Sequence, residues 1–447
     1  MRLFALAALV AGTVSAGCVI GACSSSDGAD GGAAPDGAEG GPSGDASAAE
    51  TSVDPGLDGG RDAARKDGDT ETDGAIPDDG GTIDGGDPPS VQLIGRFEND
   101  GTGDNVAFPG SKIVARFKGS DAVFKLSQTD GFSVGHSWFN VIVDGVLQPN
   151  KLEVMGASVD YPVATNLDPM LAHTVVIEKR TEPNLGVVRF EGATFPNGGV
   201  LLGPPVRPAR RIEFLSDSTI DGFGIEGTRV NAAAANYCGA AIPATNYGAL
   251  PQLNNARKSV AHLTAAALSA EDFLIAYSGK GVASNQPGDN SALFPTLYDR
   301  ALPDRAGSAW GFAWQPDAVV ISLGGVDFDG ATVVNGFGVE PAGFSAAYGA
   351  LVDKVRAKYP GAWIFLTVWS QIKDQSDPKI RTPMRTALQT NVIGARAGDG
   401  KLAYFEFPEA AGGDMGDETG CQYHGNEAHH ANMAVLLTAE NKAKLGW

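Results

Sequence analysis

Two short segments hold the side chains best suited to chemistry. Ser216-Asp217-Ser218-Thr219 follows the apolar run Ile212 to Leu215, and Cys421-Gln422-Tyr423-His424 precedes a helix-like stretch from Glu427 to Leu445. Hydroxyl and imidazole are the raw material of acyl transfer, because a serine is a poor nucleophile at neutral pH until a base takes its proton. Each segment also has a plainer reading. A Ser/Asp/Thr cluster after a strand is a common helix N-cap, and His424 fits a polar loop before a helix. Of the 4 cysteines, two, Cys238 and Cys421, lie beyond the N-terminal region. In an exported chain such a pair points to one disulfide, whereas a Cys-His metal site lacks the paired ligand spacing of zinc proteins. His136 and His173 read as surface or strand residues.

The elements that must position these residues change character along the chain. From Val91 to about Pro205, short apolar runs alternate with Gly, Asp and Pro: Lys112 to Lys118, Ala122 to Leu126, Phe139 to Val143, His173 to Lys179 and Val187 to Phe190. That spacing predicts a β-sandwich over 91–206, with Asp144-Gly145 its clearest turn. Beyond Pro208, strand-like runs alternate with helical ones. Ile212 to Leu215, Phe273 to Tyr277, Ala318 to Leu323, Trp363 to Val368 and Leu402 to Phe405 are apolar almost throughout, as strands buried on both faces are. Helices are predicted over Asn254 to Leu268, Ala342 to Lys358, Pro383 to Arg396 and Glu427 to Leu445. The fold class over 207–447 is therefore α/β with a five-stranded parallel sheet, and ligands gather at the carboxyl ends of such strands. Both chemistry-bearing segments belong to this part.

The 447 residues are 43% hydrophobic and 19% charged, with 33 Lys+Arg, 53 Asp+Glu and a net charge of -20. This acidity argues against a nucleic-acid partner, whose phosphates are neutralised by Lys and Arg. The excess is local: residues 24–90 hold 17 acidic and 3 basic side chains among Gly, Ala, Ser and Pro. So few large apolar groups cannot offset the entropy of ordering, so the segment reads as a disordered tether reaching roughly 40–50 Å on average. Its Asp-Gly repeats lack the regular ligand spacing of a calcium site. Ahead of it, Arg2 and the apolar run to Val14 read as a secretory signal over 1–23, too short to span a bilayer. Ile20-Gly21-Ala22-Cys23 resembles a bacterial lipobox, with Ser15-Ala16-Gly17-Cys18 a weaker match, so Cys23 is the expected lipidation site. The membrane is then met through a lipid anchor alone, at the cell envelope, with the outer membrane or cell surface the expected location.

In sequence, Arg211-Ile212-Glu213-Phe214-Leu215-Ser216-Asp217-Ser218-Thr219-Ile220 resembles block I of the SGNH hydrolases, with Ser216 at the Gly of their Gly-Asp-Ser motif. More specifically, the chain is similar to carbohydrate esterase family 2, bacterial deacetylases with a jelly-roll module ahead of a three-layer α/β/α SGNH domain. The likeness includes Gly95-Arg96-Phe97, Phe108-Pro109-Gly110-Ser111, Val143-Asp144-Gly145, His173-Thr174-Val175, Lys179-Arg180-Thr181-Glu182, Ser278-Gly279-Lys280-Gly281, Leu297-Tyr298-Asp299-Arg300, Gln315-Pro316-Asp317 and Gly420-Cys421-Gln422-Tyr423-His424. It implies Ser218 as nucleophile, His424 as its base, the Ser218 and Gly279 N–H groups as oxyanion donors, and no cofactor or metal. It also implies that His430 packs within the final helix, while His429 is expected to face solvent.

Three departures bear on activity. Leu323-Gly324-Gly325-Val326-Asp327 has Val326 at the family's oxyanion Asn, a loss that typically costs about 10² to 10³ in rate unless a neighbour such as Asn285 substitutes. Gln422 stands where many members carry the Asp that orients the imidazole; its amide oxygen, or a main-chain carbonyl, is then the candidate orienter. Gly425 replaces the usual Pro and is expected to loosen the loop. The implied function is an exported, monomeric O-deacetylase acting on xylan- or glucomannan-type polysaccharide. The same departures leave open a catalytically impaired carbohydrate-binding lipoprotein, or a purely structural envelope protein. Trp310, Trp314, Phe328, Phe337 and Tyr423 are candidates to stack on sugar rings.

Overall fold

The computed structural model describes residues 88–447 except 130, 132–134, 230, 232, 239–250, 376 and 411–417. The signal, Cys23 and nearly all of the tether lie outside the described residues. No helix among the described residues is long and apolar enough to cross a membrane.

Residues 92–201 form two antiparallel sheets, one of seven strands and one of five. In the larger, Lys112–Lys118 and Ser137–Val143 flank Ala172–Lys179. In the smaller, Ala122–Gln128 and Asp104–Val106 flank Val188–Thr194. Alternation does the sorting. Ala122, Phe124 and Leu126 are fully buried, and they meet Ile113, Phe117, Val175 and Ile177 of the other sheet in one core. Asp144 and Gly145 both have positive φ, 50° and 78°, as a two-residue hairpin turn requires.

The parallel sheet comprises β1 (Arg210–Ser216), β2 (Ala270–Ala276), β3 (Ala318–Ser322), β4 (Trp363–Val368) and β5 (Leu402–Glu406), ordered β2-β1-β3-β4-β5. Every residue of β2 and β3 is buried, which explains the apolar runs Phe273 to Ala276 and Ala318 to Ile321; Glu271 and Asp272 at the start of β2 are buried too, paired with Arg207 and Lys112. The covering helices include α1 (Val260–Ala267), α2 (Phe344–Lys358), α3 (Arg381–Thr386) and α4 (Glu427–Leu445). The helix expected from Asn254 starts six residues later. Asn254 and Asn255 spend their side chains on loop N–H groups of Gly224 and Arg257, and Ser259 is the actual N-cap, accepting from His262 N. After α3 the chain continues as a π-helical stretch, Ala387–Ile393. With this strand order the chain reverses direction between β1 and β3, so a crevice opens at their carboxyl ends.

The two parts are joined by apolar and ionic contacts. Ile94, Val114, Ile142 and Val176 of the sandwich pack on Phe273 and Trp314, whose rings stack at 3.8 Å. Arg96 reaches from the sandwich to Glu213 on β1 at 2.9 Å, with both side chains fully buried.

Candidate active site

Ser218 follows β1 at that crevice. Its Oγ lies 2.7 Å from His424 Nε2, and His424 Nδ1 lies 3.0 Å from the main-chain oxygen of Gln422. The orienting acceptor is thus the backbone carbonyl, not the Gln422 amide. Gln422 and Tyr423 both adopt left-handed conformations, φ 47° and 62°. Two such non-glycine residues in a row are costly and persist only where neighbours hold them. Several do: Gly420 N donates to His424 O at 2.7 Å, Gln371 Nε2 donates to Tyr423 O, and Cys421 is joined to Cys238 by a disulfide with Cα atoms 5.5 Å apart. Burial lowers the imidazole of His424 to about 4, and two backbone oxygens acting in the opposite sense do not restore it. At neutral pH His424 is a neutral base facing a hydroxyl.

Three buried carboxylates hold the surrounding loops, each taking backbone N–H groups from another loop or its own. Asp217 accepts from Thr219 N at 2.9 Å and from Val326 N, which ties the nucleophile turn to the turn after β3. Burial raises its carboxyl to about 6. Asp327 accepts from Val282, Ala283 and Ser284 N at 2.6–2.9 Å, which ties the turn after β3 to the turn after β2. Glu182, from the sandwich, accepts Ser278 N and Ser278 Oγ, both at 2.6 Å. Gly279 follows with φ +74°, a left-handed conformation that favours glycine.

Several expectations need correction. Asn285 does not replace the missing Asn: its amide nitrogen donates to Ser291 O at 3.0 Å and Ala292 O at 3.4 Å, and its oxygen accepts from Gly281 N. Val326 is half-buried in the short helical turn Gly325–Phe328, and its side chain has nothing to donate. His429 does not face solvent. It is buried, with Nε2 2.6 Å from Ser370 Oγ and Nδ1 2.8 Å from Glu418 Oε2, and its ring lies across Trp369. That packing also accounts for Gly425, where a Cβ would come within 2.6 Å of His429 Cδ2. Gly425 therefore makes room rather than loosening the loop. It is buried and bridged to Thr419. His430 is buried too and accepts from Val260 N at 3.1 Å, which fastens α4 to the start of α1.

Among the aromatic candidates, Trp314 and Phe328 are buried packing and Trp310 is half-buried near Arg96. Phe337 and Tyr423 are exposed, and the Arg229 guanidinium stands 3.5 Å over the Tyr423 ring. His136 pairs with Glu153, and the strand residue His173 with Asp144, far in sequence from Ser218. Among the described residues no group of three or more His, Cys, Asp or Glu has metal-holding geometry. A cavity of about 230 Å³ lies between the parts, lined by Asn140, Lys151, Arg180, Glu226 and Lys258; its cations already pair with Glu226, and it does not include Ser218.

Comparison with known proteins identifies the family. Residues 93–205 match the family described as Carbohydrate esterase 2 N-terminal. A crystal structure of a family two carbohydrate esterase from Clostridium thermocellum, in complex with cellohexaose, is 32% identical, superposes with a TM-score of 0.67, and is covered over 100% of its length by 80% of this chain. The chain belongs to carbohydrate esterase family 2. Within this family it is also 33% identical over 365 residues to the cellulase/esterase CelE of Acetivibrio thermocellus, which aligns with 81% of this chain but only 40% of that protein. An acetylxylan esterase / glucomannan deacetylase of Cellvibrio japonicus is 29% identical over 289 residues, 62% of this chain and 71% of that one. The likeness to these family 2 members spans both the sandwich and the α/β domain.

Proposed function

We propose that this family 2 member is a serine esterase that removes O-acetyl groups from polysaccharide. The observation that carries this reading is the 2.7 Å contact between Ser218 Oγ and His424 Nε2 at the sheet crevice. Ser218 Oγ attacks the acetyl carbonyl carbon while its proton passes to Nε2. The negative oxygen so formed is met by the Ser218 and Gly279 N–H groups, with no side-chain donor from position 326. The C–O bond to the sugar then breaks, and His424 returns the proton to the departing sugar oxygen. Water, activated by the same nitrogen, releases acetate from Ser218. The Nδ1–H donated to the Gln422 carbonyl keeps the tautomer that leaves Nε2 free to accept, so a Ser-His dyad suffices.

The substrate class follows the relatives, one named for acetylxylan and glucomannan and one bound to cellohexaose. Tyr423, exposed beside His424, supplies an aromatic face for a sugar ring. The signal-like start, Cys23 and the acidic tether support an exported protein lipid-anchored to the cell envelope.

Acetate release from acetylated xylan and glucomannan by the full chain and its Ser218→Ala variant tests the chemistry. A fall of about 10⁴-fold or more in the variant is expected; equal release from both proteins sinks the esterase reading. Fractionation of producing cells tests the anchor. Wild type is expected in the membrane pellet and Cys23→Ser in the soluble fraction, and a soluble wild type overturns the lipidation.

A further inference from the structure

We infer that Glu182 of the sandwich is a positioning residue for the esterase reaction: by clamping Ser278 it fixes the direction of the Gly279 N–H toward the oxyanion. The inference rests on the esterase reading above and extends it to a residue outside the α/β domain.

The clamp is two-pronged. One carboxylate oxygen accepts the Ser278 N–H and the other accepts the Ser278 hydroxyl, each at 2.6 Å, and both prongs fall on the residue just before the donor glycine. From the opposite side, Gln286 N donates to Gly279 O at 2.8 Å, and Lys280 N donates to Tyr277 O at 3.3 Å. The peptide that carries the Gly279 N–H is therefore held at both ends. Glu182 is itself immobilised. It is buried, Pro183 follows it at the start of a short 3-10 turn, and Lys179 Nζ donates to the carbonyls of Thr181 and Glu182 at 2.6 and 3.3 Å. A donor aimed at a developing charge helps only if its direction is set before the reaction, and here the sandwich helps to set it.

The absence of an amide at position 326 raises the demand on this clamp. Two backbone donors remain, and one of them is oriented by Glu182. The run Lys179-Arg180-Thr181-Glu182 is thereby explained in part. Arg180 pairs with Glu226 at 2.6 Å, and Glu182 with Ser278 across the same boundary. The sandwich thus shapes the active site as well as supporting the domain that carries it.

The test compares wild type, Glu182→Ala and Glu182→Gln in the full chain. Active sites are titrated with a phosphonate that labels Ser218, so rates refer to competent molecules alone. Glutamine can keep both contacts, accepting the Ser278 N–H with its amide oxygen and donating to the Ser278 hydroxyl with its nitrogen. Glu182→Ala is expected to lower kcat for an activated acetyl ester about 10- to 100-fold with KM unchanged, and to weaken a trifluoromethyl ketone, whose adduct carries the same oxyanion, by a similar factor. Glu182→Gln should recover to within about 5-fold of wild type, since the hydrogen-bond geometry is retained. Should the alanine variant not fold, Ser278→Ala removes the hydroxyl prong alone and is expected to lower kcat in the same sense. A per-site kcat and ketone affinity that match wild type in the variants overturn the positioning role while leaving the esterase intact. A wild type with no Ser218-dependent turnover instead removes the esterase reading and this role with it.

Discussion

In the proposed mechanism His424 acts as a neutral base, and burial rather than a charged partner favours its neutral form. Because burial lowers the imidazole to about 4, the acid limb of kcat/KM should lie well below the ordinary histidine value of about 6.5, with a plateau already reached near pH 6. The sign follows from the mechanism: only the unprotonated ring can accept the Ser218 proton, so activity is lost as pH falls through the folded value. A pH profile of kcat/KM with its midpoint at 6.5 or above would show that the ring is solvated in the working enzyme. Ser218 and His424, 206 residues apart, could be paired from the sequence once the surrounding motifs were matched, and the structure brings their side chains into contact. The orienting group was not legible there. It is a main-chain oxygen held at Gln422 by left-handed backbone, and any side chain at that position would carry the same carbonyl. His429 was misread for a related reason. A His beside another His at the start of a helix gives no sign that Trp369, Ser370 and Glu418 will enclose it.

The loop from Thr419 to Gly425 connects those residues to the rest of the site, and its shape depends on contacts from four separate segments. Cys238, Gly224, Gln371 and His429 each hold one part of it. Gly425→Ala is the sharpest probe. The new methyl would stand 2.6 Å from His429 Cδ2 and 3.1 Å from Cγ, and that ring is pinned by hydrogen bonds through both its nitrogens. Overpacking of this kind costs about 1–3 kcal/mol. The change should lower the melting temperature and, by moving His424, reduce kcat more than KM; a variant with unchanged stability and kcat would mean that the ring yields without cost. At this scale the five sheet strands were readable, since burial on both faces leaves near-continuous apolar runs. The start of α1 was not, because Asn254 and Asn255 cap neighbouring loops where a helical pattern would have continued.

Charges, as well as apolar groups, are buried where the sandwich meets the α/β domain. Arg96 is the central case. Its guanidinium contacts Glu213 at 2.9 Å and the carbonyls of Tyr298 and Arg300 at 2.5 and 3.1 Å, while the Tyr298 and Tyr359 hydroxyls donate to the same Glu213 carboxylate at 2.9 and 3.2 Å. Removing one member of a buried pair leaves the other charge desolvated and uncompensated, a penalty of about 3–5 kcal/mol. Arg96→Ala is therefore expected to destabilise the sandwich and the α/β domain together, as a single calorimetric transition at lower temperature. Replacing both charges with neutral groups of similar size, Arg96→Met with Glu213→Gln, should cost less than the two single changes summed, because the stranded charge is gone. Additive losses would show that the pair is not coupled, and two separate transitions in the wild type would show that the parts fold independently. Coupling is the outcome the geometry favours: β1, which leads into Ser218, carries Glu213 three residues before its last residue, so the strand that positions the proposed nucleophile is also the strand to which the sandwich is bound.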